Sequence, residues 1–487
     1  IAVKLMHLKS SRKTISLISA LSFCAFSSGP ARAGDVPALI RTNDPAAKTS
    51  KILAYAQSET PLRGQTIEQA EILALSTDPT IREAHWQQQL VSARLSESRL
   101  KRLPTLKVLD VYAYSNSPFY VFGSLLQQNK IKQSDLTNLH SLNHPKPISN
   151  FIGSAYFVLP IFNQLQTSTQ IAMEKLAAKQ VSRQQDRTAQ EMRFRLIKAF
   201  FGVLLADSRM NTSIESVKSA RAELKRVSDL RDTGKVVESD VLAMELQLAQ
   251  FKQEETAAEG ALNVAYAEFN SLIGNPITLP VKLAGQLVDQ SWSVEQESIL
   301  VDKAIDIRPD LESVRLQIGR EHQEIKKAKG KYLPNVKAFG GTILSGQGVV
   351  NATPNFAVGG MVSWDVDPSR PAVVKQAKAN EQIAKARCDE KINLVKLEVV
   401  RAFQQFRVAA DSKAVAFAAV AKAKENLRIV RNRYEVGLTT VTDLIQAQTL
   451  FAQAQNGYMS AVYDNYVGYA NLLLSVGQLN DVKSFEG

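Results

Sequence analysis

The sequence predicts a mainly α-helical protein with a small β part, built from a duplicated helix–strand–strand–helix–helix unit. Three observations predict it. First, the chain repeats itself. Asp78-Pro79 recurs as Arg308-Pro309 and Leu103-Pro104 as Leu333-Pro334, both 230 residues on. Ala199-Phe200, Gly234, Asp240 and Gly274 recur as Ala402-Phe403, Gly437, Asp443 and Gly477, all 203 residues on. The difference of 27 residues falls in a Ser-, Asn-, His- and Pro-rich segment between Ser115 and Asn150, so the first copy carries an enlarged loop. Second, 164–231 and 369–433 read as single helices of about 68 and 65 residues, or ~100 Å at 1.5 Å per residue. Third, short segments of alternating polarity follow each Leu-Pro pair, the period of a strand.

The elements follow in chain order. Residues 1–33 read as a secretory signal peptide: Lys4, Lys9, Arg12 and Lys13 precede an apolar run from Ile15 to Phe26, and Ala31-Arg32-Ala33 supplies a small-residue cleavage site. Translation is expected to start at Met6. Acylation at Cys24 is the alternative, against which stands the bulk of Phe23 just before it. Residues 34–65 form an N-terminal extended segment. The first repeat, 66–275, opens with a helix from about Thr66 to Arg102. Pro104 closes it, since proline donates no N–H and disfavours helix in the residue before it. Strands at 105–115 and 151–160 come next, then the long helix, a tip near Gly234, and a return helix to Gly274. In that return helix Met244, Leu248, Phe251, Ala258, Leu262, Ala265, Phe269 and Leu272 form a heptad seam interrupted by Glu255, read as core packing. A linker, 276–296, leads to the second repeat, 297–478. Its helix runs from about Glu297 to Tyr332, its strands are 336–344 and 355–365, and its tip lies near Gly437. In the last strand Phe356, Val358, Gly360, Val362 and Trp364 share one face. Residues 479–487 are a tail.

Composition excludes several function classes. The formal charge is +12, from 59 basic and 47 acidic residues, and five of the basic ones lie in the signal segment. The remainder is mild and unclustered, so no nucleic-acid partner is expected. Two cysteines exclude a disulfide scaffold. No stretch beyond the N-terminus approaches the ~18 consecutive apolar residues of a transmembrane helix. There is no nucleophilic triad, phosphate-cradling loop or metal-ligand cluster, so the chain is not expected to be an enzyme and no cofactor or metal is expected. His140 and His144 are four apart, but Pro145 and the surrounding polar residues predict a solvated loop. Phe119, Tyr120 and Phe122 either belong to the aromatic girdle of a membrane barrel or fold the loop onto itself. Lys101-Arg102 and the basic run from Lys326 to Lys331 are solvated faces or contacts to lipid phosphate.

Geometry then leaves two options: the strands are not in a membrane, or several chains share one barrel. Four strands cannot close a barrel, for which about eight are the minimum. Open edges cannot face lipid, where each unpaired backbone group costs several kcal/mol. Three chains would pool twelve strands and a matching ring of helices. Small residues such as Ala177, Ala258, Ala418 and Ala421 permit close approach of neighbouring helices.

The duplicated plan, with a glycine turn at each hairpin tip, resembles the TolC-type outer-membrane efflux proteins over nearly the whole chain past the signal. The most specific stretch is Arg433-Tyr434-Glu435-Val436-Gly437-Leu438-Thr439-Thr440-Val441-Thr442-Asp443-Leu444, matching the family's second tip. The first tip, Leu230 to Leu242, keeps Gly234 and Asp240 but has Arg231 where the second has Tyr434. The resemblance implies a homotrimer in outer-membrane lipid, with a twelve-stranded barrel and a periplasmic helical tunnel. It further implies a periplasmic adaptor protein and an inner-membrane transporter as partners. It maps a channel constriction onto Tyr434, Asp240 and Asp443, with Gln446 where some relatives carry a second acid and Thr439 where some carry an arginine. Adaptor docking is expected at Gly234, Val236, Gly437 and Leu438. For Asp240 and Asp443 the competing expectation is helix capping just after a glycine turn, and for Tyr434 it is core packing. The rival to an export duct is a structural or adhesive coiled-coil protein of the cell envelope, which would explain the signal and the heptads but not the paired strands.

Overall fold

The computed structural model describes residues 64–279, 281–348 and 351–485. The expected signal peptide and all but the end of the 34–65 segment lie outside them. The described chain forms two compact units. One is made of strands, from Leu100–Thr167 and Lys331–Asp367; the other is helical, from the chain up to Arg99, Ser168–Gly330 and the chain from Pro368 on.

The helical unit holds α1 (Ile67–Thr77), α2 (Pro79–Leu100, whose last residue belongs to the other unit), α6 (Gln166–Asp232), α7 (Glu238–Ile273), α8 (Glu297–Ile307), α9 (Pro309–Gly330), α10 (Arg370–Glu435) and α11 (Val441–Val476). The mainly helical fold class expected from the sequence is therefore found. The long helices have 67 and 66 residues and both return helices have 36. One detail differs from the sequence reading. The stretches before Leu103-Pro104 and Leu333-Pro334 are each two helices. The break falls at Asp78 (φ −59°, ψ 124°) and at Arg308 (φ −63°, ψ 123°). Both residues precede a proline, whose ring pushes them out of the helical region.

The two breaks are held differently. Asp78 is buried and accepts hydrogen bonds from the backbone N–H and hydroxyl of Thr80, capping α2. Arg308 is buried with 1% exposure and forks onto Asp310, at 2.9 and 2.8 Å. Its Nη1 also donates to Glu398 (2.6 Å) and to the Ser475 carbonyl (3.0 Å). Arg187 and Gln190 donate to the carbonyls of Leu474 and Gly477. Three side chains thus satisfy the free carbonyls at the end of α11, where the helix dipole is negative. Burial lowers the Arg308 pKa, but the bonds to Asp310 and Glu398 outweigh it and raise the value. Burial pushes the Asp310 carboxyl up, and hydrogen bonds from Arg308 and Lys391 overcome it and hold it well below the usual carboxylate range. The main core lies nearby. Phe200, Phe201, Phe269, Tyr466 and Phe485 are buried in it, and Trp292 stacks on Tyr469 at 4.6 Å.

The heptad seam of α7 is only partly filled. Met244, Phe251 and Phe269 are buried, but Leu248, Glu255, Ala258, Leu262 and Ala265 are half-exposed.

In the strand unit, β1 (Thr105–Ser115), β2 (Ile148–Asn163), β3 (Asn335–Gly346) and β4 (Thr353–Ser363) form one antiparallel sheet in the order β1-β2-β3-β4. Pairings such as Tyr112↔Phe151, Phe151↔Gly346 and Thr342↔Phe356 fix which residues share a face. One face carries Leu106, Val108, Tyr112, Tyr114, Phe151, Phe157, Phe356, Val358 and Val362. Tyr112 and Phe356 on it are 67% and 87% exposed. Asp110, Ser149 and Thr342 are polar exceptions on this face. The other face carries Lys107, Asn150, Ser154, Tyr156, Lys337, Ser345, Thr353 and Asn355 among some apolar residues. Strand glycines are covered by aromatic rings: Phe157 lies over Gly340 and Phe339 over Gly359, where an added Cβ would meet ring carbons at 2.9 and 2.8 Å.

The enlarged loop of the first repeat is not all loop. It contains α3 (Pro118–Gln127), α4 (Gln133–Thr137) and α5 (Leu139–Asn143). His140 and His144 sit on and beside the short α5 with ring centroids 5.1 Å apart. Among the described residues no group of three or more His, Cys, Asp or Glu is placed to hold a metal ion. No described helix is long and apolar enough to cross a membrane.

Candidate functional site

The two hairpin tips bring the expected site residues into one region. Each long helix ends in the same way. Gly234 and Gly437 adopt φ of 75° and 76°, a left-handed conformation that costs glycine little. The next N–H reaches five residues back, from Lys235 to the Leu230 carbonyl (3.0 Å) and from Leu438 to the Arg433 carbonyl (2.9 Å). This glycine-terminated motif satisfies carbonyls the helix leaves free.

Between the tips lies a small core. Val227, Val241, Met244, Leu427, Tyr434, Val441, Leu444 and Ala447 are buried in it, and Val236 packs half-buried against it. Gly234, Gly437 and Leu438 are exposed, Leu438 at 76%. Tyr434 is therefore a core residue, yet its hydroxyl has no hydrogen-bond partner. Burial, then the negative charges of Asp240 and Glu223, push the Tyr434 pKa up, so the phenol stays neutral and keeps its proton to donate.

The two aspartates occupy the third position of their return helices and differ in what they do there. Thr440 precedes α11 as a capping residue. Its hydroxyl accepts from the Asp443 N–H (3.2 Å), and the Asp443 carboxylate accepts from the Thr440 N–H (3.0 Å). The Thr439 and Thr440 hydroxyls also donate to that carboxylate, each at 2.7 Å. These bonds, from Thr439 first, hold the exposed Asp443 at a pKa of about 2. Capping does not discharge the group. It makes the negative charge more durable, so the capping and electrostatic expectations for Asp443 are compatible. The first tip has Val237 in the capping place, with no side chain to offer. Asp240 is half-buried and free of that box, and Gln446 is exposed.

Charged pairs join the two hairpins just behind the tips, and sequence reasoning missed them. Arg226 on α6 meets Glu435 on α10 at 2.5 Å. Buried Glu223 on α6 lies 2.8 Å from Arg431 Nε on α10 and 3.6 Å from Arg226. The Arg431 Nε–H does not point along that line, so the contact is an ion pair rather than a well-formed hydrogen bond. The available signal was an acid and a base one helical turn apart on each of two facing helices.

Comparison with known proteins agrees with this geometry. The outer membrane efflux protein family matches residues 72–275 and 300–478. The chain is 20% identical over 301 residues to the alkaline protease secretion protein AprF of Pseudomonas aeruginosa, covering 60% of this chain but only 63% of that protein. It is 23% identical over 318 residues to the outer membrane protein TolC of Vibrio cholerae, covering 62% of this chain and 72% of that one. Its fold resembles the CmeC outer membrane channel of Campylobacter jejuni, with a TM-score of 0.71 at 14% identity over 86% of this chain and 88% of that one. It likewise resembles the open state of the MtrE outer membrane channel of Neisseria gonorrhoeae, with a TM-score of 0.69 at 15% identity over 86% and 90%. The family match runs through both repeats and both tips, and the chain belongs to the outer membrane efflux protein family and is an outer-membrane protein.

Proposed function

We propose that the chain is the outer-membrane duct of a tripartite export system, a passive trimeric channel that catalyses no reaction. It works with a periplasmic adaptor and an inner-membrane transporter, and its helices stand in the periplasm. The observation that carries this reading is the sheet. It has two open edges, at β1 and β4, and one exposed apolar face set against a polar one. Such a sheet is stable in lipid only if its edges are paired and its polar face turned from the hydrocarbon. Three copies closing a twelve-stranded barrel satisfy both conditions. The purified chain should form discrete channels in planar bilayers and migrate as a trimer in detergent. A water-soluble monomer that never inserts would overturn the reading.

Asp240, Tyr434, Asp443 and Gln446 form the constriction in this reading. Three symmetry-related Asp443 carboxylates, ionised at any physiological pH, create a negative potential that attracts cations. The neutral Tyr434 hydroxyl, buried and without an acceptor, is a donor available to the nearby Asp240. The inter-hairpin pairs of Arg226 and Arg431 oppose separation of the tips. Adaptor docking uses Gly234, Val236, Gly437 and Leu438, beside the exposed Val237 and Val436, which are 63% and 68% exposed. Cysteines placed at these tips should crosslink to an adaptor, and crosslinks confined to the strand end would refute the docking.

A further inference from the structure

The enlarged loop of the first repeat has a structural task that the duct reading leaves unassigned. Its first helix, α3, is tied to one particular face of the sheet. Gln128 Nε2 donates to Asn150 Oδ1 (2.8 Å), Asn150 Nδ2 to the Ser124 hydroxyl (3.1 Å), and the Ser345 hydroxyl to Asn150 Oδ1 (3.0 Å). Thr353 and Asn355 donate to the carbonyls of Gln128 and Gln127. Asn150 and Ser345 are fully buried, so this polar network anchors the helix to the sheet, with Gln128 Oε1 the one of its buried atoms left without a partner.

Strand register decides where the helix lies. Asn150, Ser345, Thr353 and Asn355 all belong to the polar face, with Lys107, Ser154 and Lys337. In a barrel closed in lipid that face lines the lumen. We infer that α3 is folded inside the mouth of the barrel, where three copies form an apolar collar that narrows the exit. The inference rests on the trimeric-duct reading. Val121 and Ser124 are the buried side of α3, and Phe119 and Leu126 lie ~160° round the helix from them. They point away from the sheet and are 91% and 49% exposed. Apolar side chains directed into a narrow aqueous passage disfavour a continuous water column and the passage of hydrated ions, while apolar or amphipathic solutes are less hindered. The collar is a selective constriction separate from the acidic one, built on the strand unit rather than on the helical tips.

The test uses the full chain reconstituted as channels in planar bilayers, carrying Phe119→Cys in a Cys388→Ala background. A maleimide bearing a bulky polymer is added, and attachment is measured by gel shift. The expected result is current at least halved, in steps as successive copies react, with the Cys388→Ala parent unaffected. Complete attachment with unchanged current places α3 outside the passage and overturns the inference. A second variant replaces residues 117–147 by an Asn-Gly turn joining β1 to β2. Its conductance for hydrated ions should rise relative to the parent; equal or lower conductance also overturns the collar. Absence of any channel from the unaltered chain would instead remove the duct reading itself.

Discussion

The two hairpin tips share their glycine and aspartate spacing, and the structure gives their aspartates different hydrogen-bond partners. At the second tip a threonine stands three residues before the aspartate, the box closes, and Asp443 is held at a pKa of about 2. At the first tip a valine stands there, and Asp240 is left outside any box, beside a buried phenol. Residue 231 diverges too: Arg231 is occupied locally with Asp232 and Glu238, whereas its counterpart Tyr434 fills the core between the hairpins. A duplicated backbone motif thus fixes where a carboxylate stands, and one neighbouring side chain fixes whether a capping box closes around it.

The proline junctions show the same divergence on a larger energetic scale and supply the strongest test of it. Arg308→Met would leave Asp310 and Glu398 without their buried partner and the end of α11 without one of its donors. A loss of about 3 kcal/mol is expected, as for a broken buried ion pair. Asp78→Ala, at the equivalent junction, removes chiefly a helix cap and should cost about 1 kcal/mol. Thermal unfolding in detergent followed by circular dichroism measures both, and equal losses would erase the distinction. Next in size is Tyr434. Replacement by Ala should cost about 3 kcal/mol through the cavity left between the hairpins. Tyr434→Phe, which removes only an unpartnered hydroxyl, should change stability by less than about 0.5 kcal/mol. A large loss from the Phe variant would mean that the hydroxyl is bonded in the proposed trimer.

Two smaller effects bear directly on the caps. Asp443 titrates at about 2 when folded, below the ~3.9 of an unfolded aspartate. Its capping contribution is therefore complete above the unfolded value and is lost as pH falls through the folded one. Replacing Thr439 and Thr440 together by Val removes both hydroxyls that donate to the carboxylate, and its pKa should climb toward the unfolded value. Divalent-cation block of reconstituted channels at about pH 3 should then be weaker than in the unaltered protein, for a carboxylate near its unperturbed pKa. Identical block across the acid range would show that Asp443 does not face the passage. The reciprocal Val237→Thr should install a box at the first tip. Hydrogen exchange of the first amides of α7 should slow several-fold, and an unchanged rate would mean that Val237 is not the capping position.

How much of this was legible beforehand differs by element. Period and punctuation are local properties, so the strands, the long helices and the glycine tips could be read from Leu-Pro pairs, alternation and Gly234 and Gly437. The breaks at Asp78 and Arg308 were also local, and were obscured only by reading each proline as lying inside one helix. The burial of Arg308 was not readable, because its partners Glu398 and Ser475 arrive from distant helices. The pairing of Arg226 with Glu435 was hidden for the same reason. The Ser- and Asn-rich composition between residues 115 and 150 suggested a solvated loop, yet several of those polar groups serve a buried network that exists only once β2, β3 and α3 are assembled.

Taken alone, then, the order of residues determined the repeat, the length of each rod, the place of each turn and the presence of an acid after each glycine. Those depend on backbone chemistry within a few neighbours. Tertiary structure alone decided that Tyr434 would be buried, that Arg308 would hold a helix end, and that the enlarged loop would lie on the polar rather than the apolar face of the sheet. Such outcomes depend on which distant groups meet, and burial, charge and hydrogen bonding take their values only after that meeting.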